Sequence, residues 1–360
     1  MGPFLRRLAI TLTLASLFAS ACVDDDGIDG VGNPDANASA ALIGEVVVEG
    51  LSGPTQLTVD AEGFWWVAQL AGGENDGSGQ VARLDPDSPD SEPEVVLDGL
   101  DKPTGIALFA GELWVMERNR LTRGSIGGAV DGSDRVIVAD DLPTNGRSEG
   151  TLTVDGDRLL YDTSGRLEVD GTPTEGSGTL WAITADGEIT SVATGFKHAY
   201  AHARTDDGTL YTTEVGDGRY DGERPQDELV PVTPDADHGW PRCVGDNRVV
   251  IEYGGTESDC AAVPRPLALF PAGATPTSVV VPPWDSELLL VALWNEGQVA
   301  AVSTDAGRPA GNDSGDDVAG YDVVYTGAEH PQHLVVDGDR VLLTDHIAGR
   351  IIALRRGGSE

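Results

Sequence analysis

From Ile43 to Arg356 the chain is a succession of short stretches in which apolar and polar positions alternate, each cut off by Gly, Asp or Pro. Phe64-Trp65-Trp66-Val67-Ala68, Glu112-Leu113-Trp114-Val115-Met116 and Val341-Leu342-Leu343-Thr344-Asp345 are examples. Alternation with period two, ended by turn residues, predicts strands. No stretch keeps a helical period for three turns.

The pattern restarts. Six segments share a small or Pro start followed by a β-branched or aliphatic residue, then a turn and a second apolar run. They are Gly53-Pro54-Thr55-Gln56-Leu57, Lys102-Pro103-Thr104-Gly105-Ile106, Ser148-Glu149-Gly150-Thr151-Leu152, Ala199-Tyr200-Ala201-His202-Ala203, Thr275-Pro276-Thr277-Ser278-Val279 and His330-Pro331-Gln332-His333-Leu334. Their last residues lie 49, 46, 51, 76 and 55 positions apart. Repeats of about 40–50 residues built of strands predict propeller blades. The fold expected is therefore all-β, a six-bladed β-propeller over residues 43–356. A pair of β-sandwiches would not explain the regular restart. The six segments are the expected innermost strand starts, lining one mouth of a central channel. The tryptophans Trp65, Trp66, Trp114, Trp181, Trp284 and Trp294 are expected between blades.

Composition narrows the function. With 60 Asp plus Glu against 23 Lys plus Arg, the formal charge is −37. Such a field opposes a nucleic-acid backbone or an anionic bilayer as partner. Lys102 and Lys197 are the only lysines. Gly and Pro together number 68, which fits a turn-rich chain.

The first segment reads as an address. Arg6 and Arg7 precede an apolar run from Leu8 to Ala19 that is too short to span a bilayer, then Ser20-Ala21-Cys22. This resembles a bacterial lipoprotein box, which implies an export signal over residues 1–21 and lipid on Cys22. A plain signal cut near Ala21 is the alternative. Residues 22–42, rich in Asp, Gly, Asn and Ala, read as a flexible tether. The expected location is the bacterial cell envelope, periplasmic or at the cell surface, with membrane contact through the N-terminal lipid alone. With Cys22 assigned to lipid, Cys243 and Cys260 form an even pair in an oxidising compartment, hence an expected disulfide.

One stretch is less generic. It runs from Gly195-Phe196-Lys197-His198-Ala199 through Leu210-Tyr211-Thr212-Thr213-Glu214-Val215-Gly216 and Pro225-Gln226-Asp227-Glu228-Leu229 to His238-Gly239-Trp240-Pro241. These motifs resemble those of the glucose/sorbosone dehydrogenase family, six-bladed propellers that hold pyrroloquinoline quinone (PQQ) with calcium and oxidise sugars. The strong match covers about 50 residues. The resemblance implies a sugar or related alcohol as substrate and a separate electron acceptor. It implies calcium ligation at the carbonyls of Gly216 and Asp217, with Asp227 close by, and cofactor contacts from Lys197, His198, Asp227 and Gln332. Trp240-Pro241 would pack beneath the cofactor.

The departures are equally informative. Arg147 stands where the family places its catalytic histidine, and an arginine cannot take up a proton near neutral pH. Glu149, or a histidine brought in from another blade, would have to substitute. Trp294-Asn295 and His330-Pro331-Gln332 stand where the family has Lys and Arg, although a tricarboxylate cofactor wants cations. The sequence therefore leaves two readings open: a PQQ- and calcium-dependent sugar dehydrogenase, or a catalytically degenerate propeller that serves as a calcium-stabilised binding or scaffold module.

Overall fold

Adjacent tryptophans in one strand face opposite ways, and the architecture follows from that. In the computed structural model, which describes residues 41–70, 78–88, 91–144, 150–304 and 320–357, Trp65 and Trp66 lie in strand Trp65–Leu70. Side chains alternate between the faces of a sheet. Trp65 therefore packs with Leu342 and Ile351 of the last repeat, and Trp66 with Ile106 and Leu113 of the second. Among the described residues, six apolar clusters of this kind each join two consecutive repeats. Each fully buried large apolar side chain in them contributes about 1.5–3 kcal/mol.

Every repeat is a four-stranded antiparallel sheet. The first blade runs Pro54–Val59, Trp65–Leu70, Ser78–Leu84 and Glu94–Asp101, and the fourth Ala199–Arg204, Leu210–Glu214, Asp227–Pro231 and Ala268–Phe270. The sixth is closed from the other end of the chain. Strand Leu42–Val48 pairs with Arg350–Arg356, Val46 lying opposite Ile352. First and last segments of the fold thus share one blade, and the ring has no open seam. The molecule is a six-bladed β-propeller.

Hydrogen bonds between neighbouring blades tie them together near their inner strands. Thr55 Oγ1 donates to the Pro103 carbonyl (2.9 Å), Thr277 Oγ1 to that of Pro331 (3.0 Å), and Thr344 Oγ1 to that of Thr55 (2.8 Å). Gln56 reaches two blades at once. Its Nε2 donates to the Leu152 carbonyl (2.7 Å) and its Oε1 accepts from the amides of Ile106 and Leu152 (2.9 Å each).

The six segments do not all line one mouth. Strand starts such as Thr55, Thr104, Tyr200, Thr277 and Gln332 border one cavity. Residues further along the same strands, among them His202 and His333, border another of about 340 Å³. Burial lowers His202 to about 4 and His333 to about 3, so both are neutral members of the channel wall.

Among the described residues, the long interval after the third strand of the fourth repeat carries an excursion from the blade pattern. Two-residue strands Cys243–Val244 and Arg248–Val249 pair, a 3-10 turn spans Ile251–Tyr253, and a short helix, Glu257–Ala262, follows. Thr256 caps that helix reciprocally with Asp259. At six residues it is too short for periodicity to reveal. The expected disulfide, Cys243–Cys260, closes this insert. Among the described residues no helix is long and apolar enough to cross a membrane. Cys22 and the segment assigned to the signal lie outside the described residues.

Candidate functional site

The blade-mouth cavity, about 240 Å³, is built around the loop that leaves strand Leu210–Glu214. Three hydrogen bonds shape that loop. The Val215 amide donates to the His198 carbonyl (3.0 Å), the Asp217 amide to the Val215 carbonyl (2.9 Å), and the Gly216 amide to Asp227 Oδ1 (2.7 Å). Position 216 is glycine because a Cβ there would meet the Pro225 ring at 2.9 Å. Asp227 Oδ2 accepts from the Thr275 amide (2.7 Å), so this one carboxylate pins the loop to the start of the fifth blade. The Asp217 carbonyl accepts from Tyr220 Oη (3.0 Å), which itself accepts from Trp240 Nε1 (2.7 Å).

Buried carboxylates lie beneath the loop. Glu214 is 7% exposed and Asp227 1%. Burial, reinforced by the Asp227 charge and opposed by the Lys197 amide, pushes Glu214 up to about 7. Burial raises Asp227 to about 6 against the pull of its two amide donors. Glu228, directly across the sheet from Glu214, is raised well above the ordinary carboxylate range by burial and by Glu214. All three carboxyls therefore hold their protons more tightly than free ones, and would give them up more readily with a cation bound at this loop.

Next to the loop, His198 Nε2 stands 3.3 Å from Asp162 Oδ2, and Asp162 Oδ1 accepts from the Gly150 amide (3.0 Å). The His198 ring meets Tyr200 edge-on at 5.0 Å, and Gln332 Nε2 donates to Tyr200 Oη (2.8 Å). The lip holds Trp294, whose ring lies 5.0 Å from that of His346. It also holds Asn295, which donates to the Gly273 carbonyl (2.7 Å), and Arg224. Arg224 Nη2 is 3.9 Å from Asp217 Oδ1.

The cavity thus brings together Gly216, Asp217, His198, Asp227 and Gln332. Lys197 points elsewhere. Its Nζ donates to the Gly165 carbonyl (2.6 Å), sits 5.5 Å above the Trp240 ring, and lines an adjoining cavity that shares Asp217. Trp240 belongs to that second cavity as well. Arg147 and Glu149 lie outside the described residues. Trp294 faces the cavity rather than packing between blades. Sequence reasoning missed Arg224, which lies in the loop between strands Leu210–Glu214 and Asp227–Pro231, and Asp162, whose only signal was a carboxylate beside the apolar residues of strand Arg158–Thr163.

The donor chemistry suits a calcium–quinone pair. Calcium takes carbonyl and carboxylate oxygens, and the loop offers the Gly216 and Asp217 carbonyls beside the carboxyls of Asp217 and Asp227. Among the described residues no three His, Cys, Asp or Glu side chains form a metal cluster. Both Asp227 oxygens already accept backbone amides, so the carboxylate acts first as the loop's anchor. Ligand oxygens would have to complete the coordination. The buried Thr104 hydroxyl, also in the cavity wall, has no hydrogen-bond partner, which marks a place for a polar ligand.

No protein-family model and no curated protein sequence matches the chain. Solved structures do. The calcium structure of a Trichoderma reesei enzyme of carbohydrate-active family AA12 is 16% identical, with 91% of this chain and 100% of that one covered and a TM-score of 0.68. The PQQ-bound aldose sugar dehydrogenase of Streptomyces coelicolor is 16% identical, covering 88% and 99%, TM-score 0.66. The holo PQQ domain of Coprinopsis cinerea pyranose dehydrogenase is 15% identical, covering 91% and 99%, TM-score 0.66. At these identities the likeness establishes a shared propeller frame.

Proposed function

We propose that the protein is an exported, lipid-anchored sugar dehydrogenase-like propeller that oxidises a sugar or related alcohol at the blade-mouth cavity, using calcium and PQQ and passing electrons to a separate acceptor. The observation that carries this is the meeting, in one cavity, of the Gly216–Asp217 carbonyl loop, the Arg224 cation and His198, whose Nε2 stands 3.3 Å from Asp162. The quinone, when bound, supplies the two-electron acceptor. The Gly216 and Asp217 carbonyls would hold the calcium, and Arg224, Asn295 and Gln332 would orient the cofactor's oxygens. His198, with Asp162 beside its Nε2, takes the hydroxyl proton of the substrate in place of the histidine that Arg147 replaces. Lys197, placed in the adjoining cavity, shapes the approach from that side.

Dye reduction by a panel of aldoses, with PQQ and calcium added together and separately, tests the reading. Turnover is expected only with both. His198→Gln should then lower kcat by about 10²–10⁴-fold, the usual contribution of a positioned base. A second reading, a binding or scaffold module that kept the frame and the calcium, is favoured by Arg224 being the only Lys or Arg among the described residues lining this cavity. Turnover absent across the panel while calcium still binds would establish it.

A further inference from the structure

The adjoining cavity, about 510 Å³, has an unusual lining for this chain. Arg166, Lys197 and Arg219 border it against a single carboxylate, Asp217, in a protein of formal charge −37. Its back wall is aromatic. Trp240 is fixed by its bond to Tyr220 Oη, and Tyr220 meets Tyr253 edge-on at 6.0 Å. The wall is held from outside the cavity. Arg248 donates to the Tyr220 carbonyl, and the Asp221 carboxylate accepts the amides of Ile251 and Glu252, which anchors the turn that carries Tyr253. Gly165 allows the Trp240 ring to approach, since a Cβ there would meet it at 2.8 Å. Arg219 Nη1 donates to the Gly222 carbonyl (2.9 Å), which steadies the guanidinium, and Arg166 is exposed at the rim.

Guanidinium groups recognise carboxylates through paired donors, and aromatic rings suit the C–H faces of a pyranose. The volume falls in the range of small-ligand sites. Because Asp217 lines both cavities, a ligand seated here extends toward the blade mouth. We infer that this cavity binds an acidic sugar, a pyranose bearing a carboxylate, by pairing the anion with Arg166 and Arg219 over the Tyr220–Tyr253–Trp240 wall. The placement of the reacting end rests on the proposed dehydrogenase reading; the binding itself does not.

The test is calorimetry on the full protein without quinone or calcium, titrated at low salt with methyl D-glucuronate glycoside as its carboxylate salt and with methyl glucoside. The acidic glycoside is expected to bind at least about ten-fold more tightly, the scale of one charge-assisted pair. Added salt should shrink that gap, and R166A/R219A, both exposed side chains, should erase it with Tm unchanged. Equal affinities in the unmodified protein, or a gap that survives in the double variant, would overturn the inference. So would R166A/R219A-dependent binding shown by PQQ and not by the acidic glycoside, since the cavity would then belong to the cofactor. Loss of dye turnover with glycoside binding intact would count against the dehydrogenase reading alone.

Discussion

Asp227→Leu is expected to cost about 2–6 kcal/mol of stability and to abolish calcium binding at the blade mouth. The Gly216 and Thr275 amides each lose their carboxylate acceptor, and a buried amide left without a partner costs about 1–3 kcal/mol. One opposing effect exists: removing a buried carboxylate relieves its repulsion with Glu214. Asp227→Asn separates the two contributions. It keeps one oxygen acceptor and discharges the site, so its loss should be about half that of the leucine variant. Urea unfolding followed by tryptophan fluorescence measures both. A leucine variant with an unchanged midpoint would show that the loop does not hang on this side chain.

The second large effect is on pH dependence. Glu214 and Asp227, at about 7 and about 6, and Glu228, raised well above its ordinary range by burial, all bind protons more tightly folded than unfolded. Their contribution to stability is complete below the ordinary carboxylate range and is lost as pH rises through the folded values. His202 and His238, each near 4, and His333, near 3, behave in the opposite sense. Buried neutral, they stabilise above their ordinary value of about 6.5 and lose that contribution as pH falls. The two slopes oppose each other between about 4.5 and 6.5 and leave the carboxylates alone above that window. Each group still titrating changes stability by up to about 1.4 kcal/mol per pH unit. The urea midpoint should therefore fall between pH 6.5 and 8. Glu228→Gln should flatten that fall and raise the midpoint at pH 8, and bound calcium should offset it in the parent protein. A midpoint that is flat or rising across this range would contradict the buried-carboxylate account.

The frame was legible because each repeat restates the same requirement: period-two alternation that feeds two interfaces at once. Trp65-Trp66 shows this in two letters. The closing strand was not legible, since Leu42–Val48 finds Arg350–Arg356 across almost the whole chain and pairing at that distance leaves no local mark. Half the site was readable for a related reason. Gly216 and Asp227 are fixed by backbone geometry, which motif spacing preserves. Arg224 and Lys197 are long side chains whose direction is set by tertiary contacts, with Asp217 and with the Gly165 carbonyl. One entered the cavity from the loop between Glu214 and Asp227, and the other turned toward the Gly165 carbonyl. The His198–Asp162 contact joins two blades, so neither segment's sequence alone shows the pairing.

Calorimetric titration of PQQ into the protein with and without calcium bears most directly on whether the Gly216–Asp217 loop opens onto a working ligand site. The account predicts binding below roughly 100 µM that requires calcium and disappears in Asp227→Leu. Quinone that fails to bind at that concentration with calcium present, or binds equally well without it, would contradict the account.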